Sequence, residues 1–171
     1  MTNREIALGL DAEDRPIEAA NAYEEAIKEA DADFYLYMNL AILYFVCTDG
    51  GYASYHHLSI EFVDRAWERA IKLLDEAESK FGRNDEIEFW RRYIHYRVLG
   101  EDESIMERER FTSSRSLIPY FYLFLSGDGK DYYSEAQELL EQVANGSTAK
   151  ERYIKSILVS RVKLPQGCDR R

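Results

Sequence analysis

The chain has 171 residues, of which 46% are hydrophobic, 32% are charged and 13% are aromatic, and its formal net charge is −10. This length and composition favour one domain with a buried core. The acidic balance disfavours a nucleic-acid partner, because nucleic-acid binders usually carry a basic face. Cys47 and Cys168 form neither a disulfide framework nor a zinc-binding spacing, which favours a cytoplasmic protein.

Helical periodicity runs through nearly the whole chain, and no segment shows the alternation typical of a strand. The pattern predicts a first helix over about 2–11. Asp14 is predicted to cap a second helix that holds Pro16 in its first turn and runs to about residue 30. Asp33 is predicted to cap a third helix, over about 34–47, which is too short to span a bilayer.

Residues 48–59, TDGGYASYHHLS, interrupt this pattern with paired glycines and are predicted to form a loop. Six further helices are predicted over about 59–80, 85–99, 102–111, 117–125, 131–144 and 148–162. Their boundaries rest on start signals at Asp85 with Glu88, Ser116, Asp131 and Thr148 with Glu151, and on stop signals at Gly82 and Gly100. Residues 1–164 are therefore predicted to form one helical domain, and 165–171 a flexible tail.

Small residues recur between bulky ones on single helix faces. In YMNLAILYF, residues 37–45, Ala41 follows Leu40 and stands between Tyr37 and Tyr44 in helical spacing. A small side chain lets two antiparallel helices approach closely, and its bulky neighbours fill the gaps beside that contact. Several positions recur at a spacing of 34 residues, as the pairs Ala7 and Ala41, Tyr120 and Ile154, and Leu123 and Ile157 show.

These features resemble the tetratricopeptide repeat (TPR) family, whose units are 34 residues long. Tyr37, Leu40, Ala41 and Tyr44 match its first-helix pattern, and Ala19, Tyr23 and Ala26 match its second-helix pattern. The resemblance implies an all-α fold of about nine helices, in antiparallel pairs stacked as a right-handed superhelix, with about 3.5–4 repeats and a C-terminal capping helix. The 48–59 insertion and Ile94, which replaces a small residue, depart from the pattern. The alternative is an irregular helical bundle with one genuine repeat.

The resemblance also implies a place for a partner, because first-helix residues line the concave groove of TPR proteins. Carried over unit by unit, the partner-binding residues would be Tyr35, Met38, Asn39, Arg91, Arg92, His95, Phe121 and Tyr122. Aromatic residues, Arg and Met are common in interface hot spots. For Arg91 and Arg92, ordinary charge on a helix surface is an equally good interpretation.

No nucleotide-binding, hydrolase or zinc-protease motif is present, so no catalytic residue, cofactor or metal is predicted. The expected function is a non-enzymatic module that binds a protein or peptide in its groove, with no membrane partner, as a monomer or homodimer. The partner could be basic, since residues 1–33 carry ten acidic side chains against Arg4, Arg15 and Lys28.

Two alternatives stay open at this point. A narrower form of the binding module is a dedicated one-partner protein, such as a bacterial export chaperone or a toxin-neutralising immunity protein that binds a basic client. The other alternative is an enzyme that uses the 48–59 loop, around Asp49, Tyr55, His56 and His57.

Overall fold

A computed structural model describes residues 1–162, and within them every regular element is helical. The α-helices are α1 (Asn3–Ala12), α2 (Pro16–Ala26), α3 (Phe34–Val46), α4 (Gly50–Tyr55), α5 (Ile60–Phe81), α6 (Asp85–Leu99), α7 (Tyr120–Ser126), α8 (Tyr133–Val143) and α9 (Ala149–Leu158). Two short 3₁₀ helices cover Glu103–Met106 and Arg108–Phe111. The all-α class is thus confirmed for this part of the chain. Cys168 and the predicted tail at 165–171 lie outside the described residues.

The local end signals of several helices are confirmed. The side chain of Asp33 accepts a hydrogen bond of 3.1 Å from the Leu36 backbone N–H and so caps α3. Thr148 and Glu151 form a reciprocal capping box at the start of α9. Gly82 and Gly100 end α5 and α6 with φ values of 85° and 67°, a region of backbone conformation that glycine adopts without steric cost.

Three of the predicted start signals were wrong. The N-cap positions of α6, α7 and α8 are held by Asn84, Pro119 and Tyr132, and not by Asp85, Ser116 and Asp131. Each of these helices begins within a few residues of the predicted position.

Three predictions about the connections were also wrong. Residues 48–59 are not only a loop, because Asp49 caps the short helix α4 through the N–H of Tyr52. Residues 102–111 form the two 3₁₀ helices in place of an α-helix. Asp14 does not cap α2, since Arg15 holds the N-cap position and Asp14 adopts a φ of 56°.

The first six α-helices pack mainly in chain order. Contacts join α1 to α2, α2 to α3, α3 to α5 and α5 to α6, with α4 on the connection between α3 and α5. The small residues that the sequence singled out lie at these contacts: Ala7, Ala19, Ala41 and Ala70 are all fully buried. The interpretation of small residues as points of close helix approach is therefore consistent with their burial.

The last helix links the two ends of the described chain. Helix α9 packs against α7 and α8, and it also packs against α3. The Tyr153 ring lies within 6.3 Å, between ring centroids, of Phe45 on α3, Trp90 on α6 and Phe121 on α7. Much of the high aromatic content is thus used in one core cluster that joins four helices.

Candidate functional site

Four of the eight predicted partner-binding residues are buried. Met38 and Asn39 have no exposed surface and lie on α3, the helix against which α9 packs. Phe121 is fully buried in the aromatic cluster, and Tyr122 is 7% exposed with its hydroxyl 2.5 Å from the Glu103 carboxylate. In this arrangement these four side chains contribute to the core and offer almost no surface to a partner.

The other four predicted residues reach the surface but already have partners within the chain. Tyr35 donates from its hydroxyl to the Glu151 carboxylate on α9, over 3.3 Å. Arg91 pairs with carboxylates of α5, and Arg92 pairs with Glu88 and donates to the Ile105 carbonyl. The His95 ring lies 3.1 Å from the Glu101 carboxylate. Contact between these four residues and a partner stays a prediction.

The insertion at 48–59 is fastened to the first helical pair. The Tyr52 hydroxyl donates to the Asp14 carboxylate over 2.7 Å, and the His56 Nε2 lies 3.1 Å from the other oxygen of the same carboxylate. The Leu58 N–H donates to the Ala53 carbonyl, and Ala53 is itself buried. The middle of α4 and the residue that follows it are therefore both fastened to Asp14, which lies between α1 and α2.

The end of this insertion exposes two large apolar side chains. Tyr55, the last residue of α4, is 77% exposed, and Ile60, the first residue of α5, is 66% exposed. Glu61 and Asp64 follow on the first turns of α5, and both are exposed with no ion pair among the described residues. We call Tyr55, Ile60, Glu61 and Asp64 the insertion surface.

A partly buried polar network joins α1 to α9. Arg152 donates to Asp14 over 2.8 Å and to Asp11 over 3.3 Å. Asp11 is 1% exposed, and its carboxylate also accepts a hydrogen bond of 2.9 Å from the Tyr23 hydroxyl. Burial raises the pKa of Asp11, while the hydrogen bond from Tyr23 and the charge of Arg152 oppose that shift.

The sequence analysis missed this network. Asp11 and Tyr23 lie 12 residues apart, which places them on neighbouring antiparallel helices, so that contact could have been proposed from the predicted pair. The contact of Arg152 with Asp11 spans 141 residues and has no local signal.

A cavity of about 530 Å³ opens between α3, α4, α6 and α9. Tyr52 and Arg152 belong both to its wall and to the polar network around Asp14. Its volume falls within the range of about 300–1,000 Å³ that is usual for small-molecule sites. Helix α4 thus contributes Tyr52 to the cavity and Tyr55 to the insertion surface.

Residues 1–162 contain no group of three or more His, Cys, Asp or Glu side chains placed to hold a metal ion. None of the helices described is both long enough and apolar enough to cross a membrane. Comparisons with protein-family models, curated proteins and solved structures found no match.

Proposed function

We propose that this protein is a non-enzymatic protein–protein interaction module that binds its partner at the insertion surface. The observation that carries the proposal is the exposure of Tyr55 and Ile60 on a segment that is otherwise fastened by hydrogen bonds. The partner segment would combine an apolar side chain with basic side chains.

Preorganisation supports a binding role for this surface. Association costs conformational entropy when mobile side chains or loops must be ordered, so a surface that is already fixed loses less on binding. The bonds of Tyr52 and His56 to Asp14 fix α4 before any partner arrives. An exposed aromatic on such a segment can act as an interface anchor.

Charge supports a basic partner. Ile60 and Asp64 are four residues apart on α5 and therefore share one helix face. Glu61 and Asp64 have no ion pair within residues 1–162, so a cation from a partner would not have to displace an internal one. The net charge of −10 would also steer a basic partner toward the protein.

A TPR-like arrangement of the first helices is part of the same proposal. We infer that α1, α2, α3, α5 and α6 stack as helix pairs in a right-handed superhelix. Their packing in chain order supports this arrangement, as does the burial of Ala7 and Ala41, which are 34 residues apart. The insertion surface would then lie at the junction between the two helices of the second unit.

The first experiment compares affinity capture from the source lysate by the wild type and by the Tyr55→Ser/Ile60→Ser variant. The matched control is Ile17→Ser/Val159→Ser, which removes two exposed apolar side chains outside the insertion. We expect one or more proteins that the wild type and the control capture and the insertion variant does not. Capture by all three, or by none, would contradict the proposal.

Charge reversal tests the chemistry of the partner. Glu61→Lys/Asp64→Lys should weaken binding of the captured partner more than Glu138→Lys/Glu141→Lys, which makes the same charge change at exposed positions of α8. Equal weakening of partner binding by both variants would indicate only long-range steering.

The number of captured proteins separates two forms of the binding module. A single dominant partner would favour the dedicated chaperone or immunity role, and several partners would favour a general adaptor.

An acid–base enzyme is the second candidate, because His56 is held against a carboxylate. A histidine oriented by Asp14 has the arrangement of a general base, and Tyr52 beside it borders the cavity. Hydrolysis of p-nitrophenyl acetate that is lost in His56→Ala, but not in His57→Ala, would favour this candidate. Partner capture that survives His56→Ala without any such activity would favour the binding module.

A further inference from the structure

The wall of the cavity between α3, α4, α6 and α9 is about as polar as it is apolar. Phe45 from α3, Val98 from α6 and Tyr153 from α9 contribute to it, and the Ser156 side chain stands at an exposed position of its lining. Sites for small molecules are usually apolar clefts with a few polar groups that fix the orientation of the ligand. The charged residues of the lining therefore decide what this cavity would hold.

Three charged residues line the cavity, and only one of them is compensated. Arg152 is neutralised by Asp11 and Asp14, as described above. Asp49 and Arg97 form no ion pair with each other or with any other residue of the described chain. The lining thus carries one available anion and one available cation, both at exposed positions.

Both charged side chains line the same cavity as Tyr153. The Tyr153 hydroxyl is 2.8 Å from the Tyr93 hydroxyl on α6, and Arg97 follows Tyr93 by one turn of that helix, while Asp49 stands at the start of α4. Burial raises the pKa of Tyr153, Arg97 acts to lower it and Asp49 acts to raise it, which is consistent with this placement. A purely anionic ligand near Tyr153 would meet the repulsion of Asp49, and a purely cationic one the repulsion of Arg97. A ligand that carries both charges meets neither.

We propose that this cavity binds a small zwitterionic molecule of the free amino-acid class, with its ammonium group at Asp49, its carboxylate at Arg97 and an apolar side chain against Phe45 and Val98. Arginine is suited to the carboxylate because its planar guanidinium can donate two parallel hydrogen bonds. Asp49 has acceptor capacity left, since the Tyr52 N–H occupies only its Oδ1. This site does not depend on the protein partner proposed above.

The ligand can be tested on the whole protein by thermal shift and titration calorimetry. The probes are the standard amino acids, each added alone, with L-phenylalanine and L-leucine as the expected binders. N-acetyl-L-phenylalanine lacks the cation and L-phenylalanine amide lacks the carboxylate, so we expect either compound to bind about ten-fold more weakly or worse. Equal binding of the three phenylalanine compounds would overturn the two-charge site.

Variants locate the binding. Arg97→Gln and Asp49→Asn should each lower the affinity by about ten-fold or more. Asn at position 49 keeps a capping side chain for α4, which preserves the fold. Ser156→Trp should block the cavity, whereas Ser79→Trp, at an exposed position on α5, should not.

The outcomes are distinct from those of the partner experiment. Binding that survives Tyr55→Ser/Ile60→Ser but not Ser156→Trp supports the cavity independently of the insertion surface. Absence of binding by every amino acid, or binding unchanged by Ser156→Trp, would overturn the proposal.

Discussion

The carboxylate of Asp11, near the end of α1, accepts a hydrogen bond of 2.8 Å from the backbone N–H of Ala149, the first residue of α9. This contact joins residues 138 positions apart and places a negative charge at the positive end of the helix dipole of α9. Arg152, one turn further along α9, donates to the same carboxylate oxygen. One buried acidic side chain therefore fixes the place at which the last helix meets the first.

Removal of that carboxylate should destabilise the protein. Asp11→Ala leaves the Ala149 N–H, the Tyr23 hydroxyl and part of the Arg152 guanidinium without an acceptor, and we expect a loss of about 3 kcal/mol in the free energy of unfolding. Asp11→Asn keeps an acceptor oxygen and should cost less. Urea unfolding followed by circular dichroism measures both values, and an Asp11→Ala variant within about 0.5 kcal/mol of the wild type would show that the contact contributes little.

The pH dependence of stability should carry the signature of Asp11. Burial raises the pKa of its carboxyl, so the folded protein keeps a proton there after the unfolded chain has lost it, near pH 4. The contribution of Asp11 to stability is then fully present below the unfolded pKa and declines as the pH rises through the folded pKa. The difference in unfolding free energy between wild type and Asp11→Asn should shrink over that interval, and a difference that grows with pH would contradict the direction of the shift.

Local signals in the sequence predicted most of the helices, because a capping side chain or a terminal glycine acts within a few residues. Helix α3 begins after Asp33, as the sequence predicted. Helices α5 and α6 end at the predicted glycines, Gly82 and Gly100. Helix α4 was missed because Gly50 and Gly51 are poor helix formers. The Asp49 cap is a local signal, but the contact of Tyr52 with Asp14 joins residues 38 positions apart and is not contained in any local pattern.

The candidate site was harder to predict than the fold. The groove prediction took Met38 and Asn39 as exposed, since repeat spacing alone does not indicate what packs against α3. The element that packs against α3 is α9, and its position depends on contacts of Ala149 and Arg152 with Asp11. These contacts join residues 138 and 141 positions apart. The position of the insertion was visible in the sequence, but the exposure of Tyr55 and Ile60 was not.

Tyr153 should be a major contributor to stability. Tyr153→Ala removes a ring that packs on Phe45, Trp90 and Phe121 at the junction of four helices, and a loss of about 3–5 kcal/mol is expected. Tyr153→Phe keeps the ring and loses only the 2.8 Å hydrogen bond with the Tyr93 hydroxyl, which should cost about 1 kcal/mol. Urea unfolding measures both losses of unfolding free energy. If the two are similar, the hydrogen bond between the hydroxyls contributes more to stability than the packing of the ring.

The Cys47 thiol should be unreactive in the folded protein. Burial raises its pKa to about 12, and the charges of Asp11 and Asp14 act in the same direction, so almost none of it is thiolate near neutral pH. In a Cys168→Ser variant, which leaves Cys47 as the single thiol, we expect iodoacetamide to label the native protein far more slowly than the same protein in guanidinium. Equal labelling rates would mean that the site opens readily to solvent.

The ion pair between Arg69 on α5 and Glu24 on α2 should depend on the shape of the guanidinium as well as on its charge. Its Nε and Nη2 donate to the two oxygens of Glu24, each over 2.7 Å, and its Nη1 donates to Glu76 over 2.8 Å. Lysine keeps the charge but cannot span two carboxylates in this way, so Arg69→Lys should lower the free energy of unfolding by about 1 kcal/mol. The control, Arg161→Lys at an exposed position, should change it by less than about 0.5 kcal/mol. If both substitutions have the same effect in urea unfolding, the two-oxygen geometry contributes nothing measurable and α2 is held to α5 by packing alone.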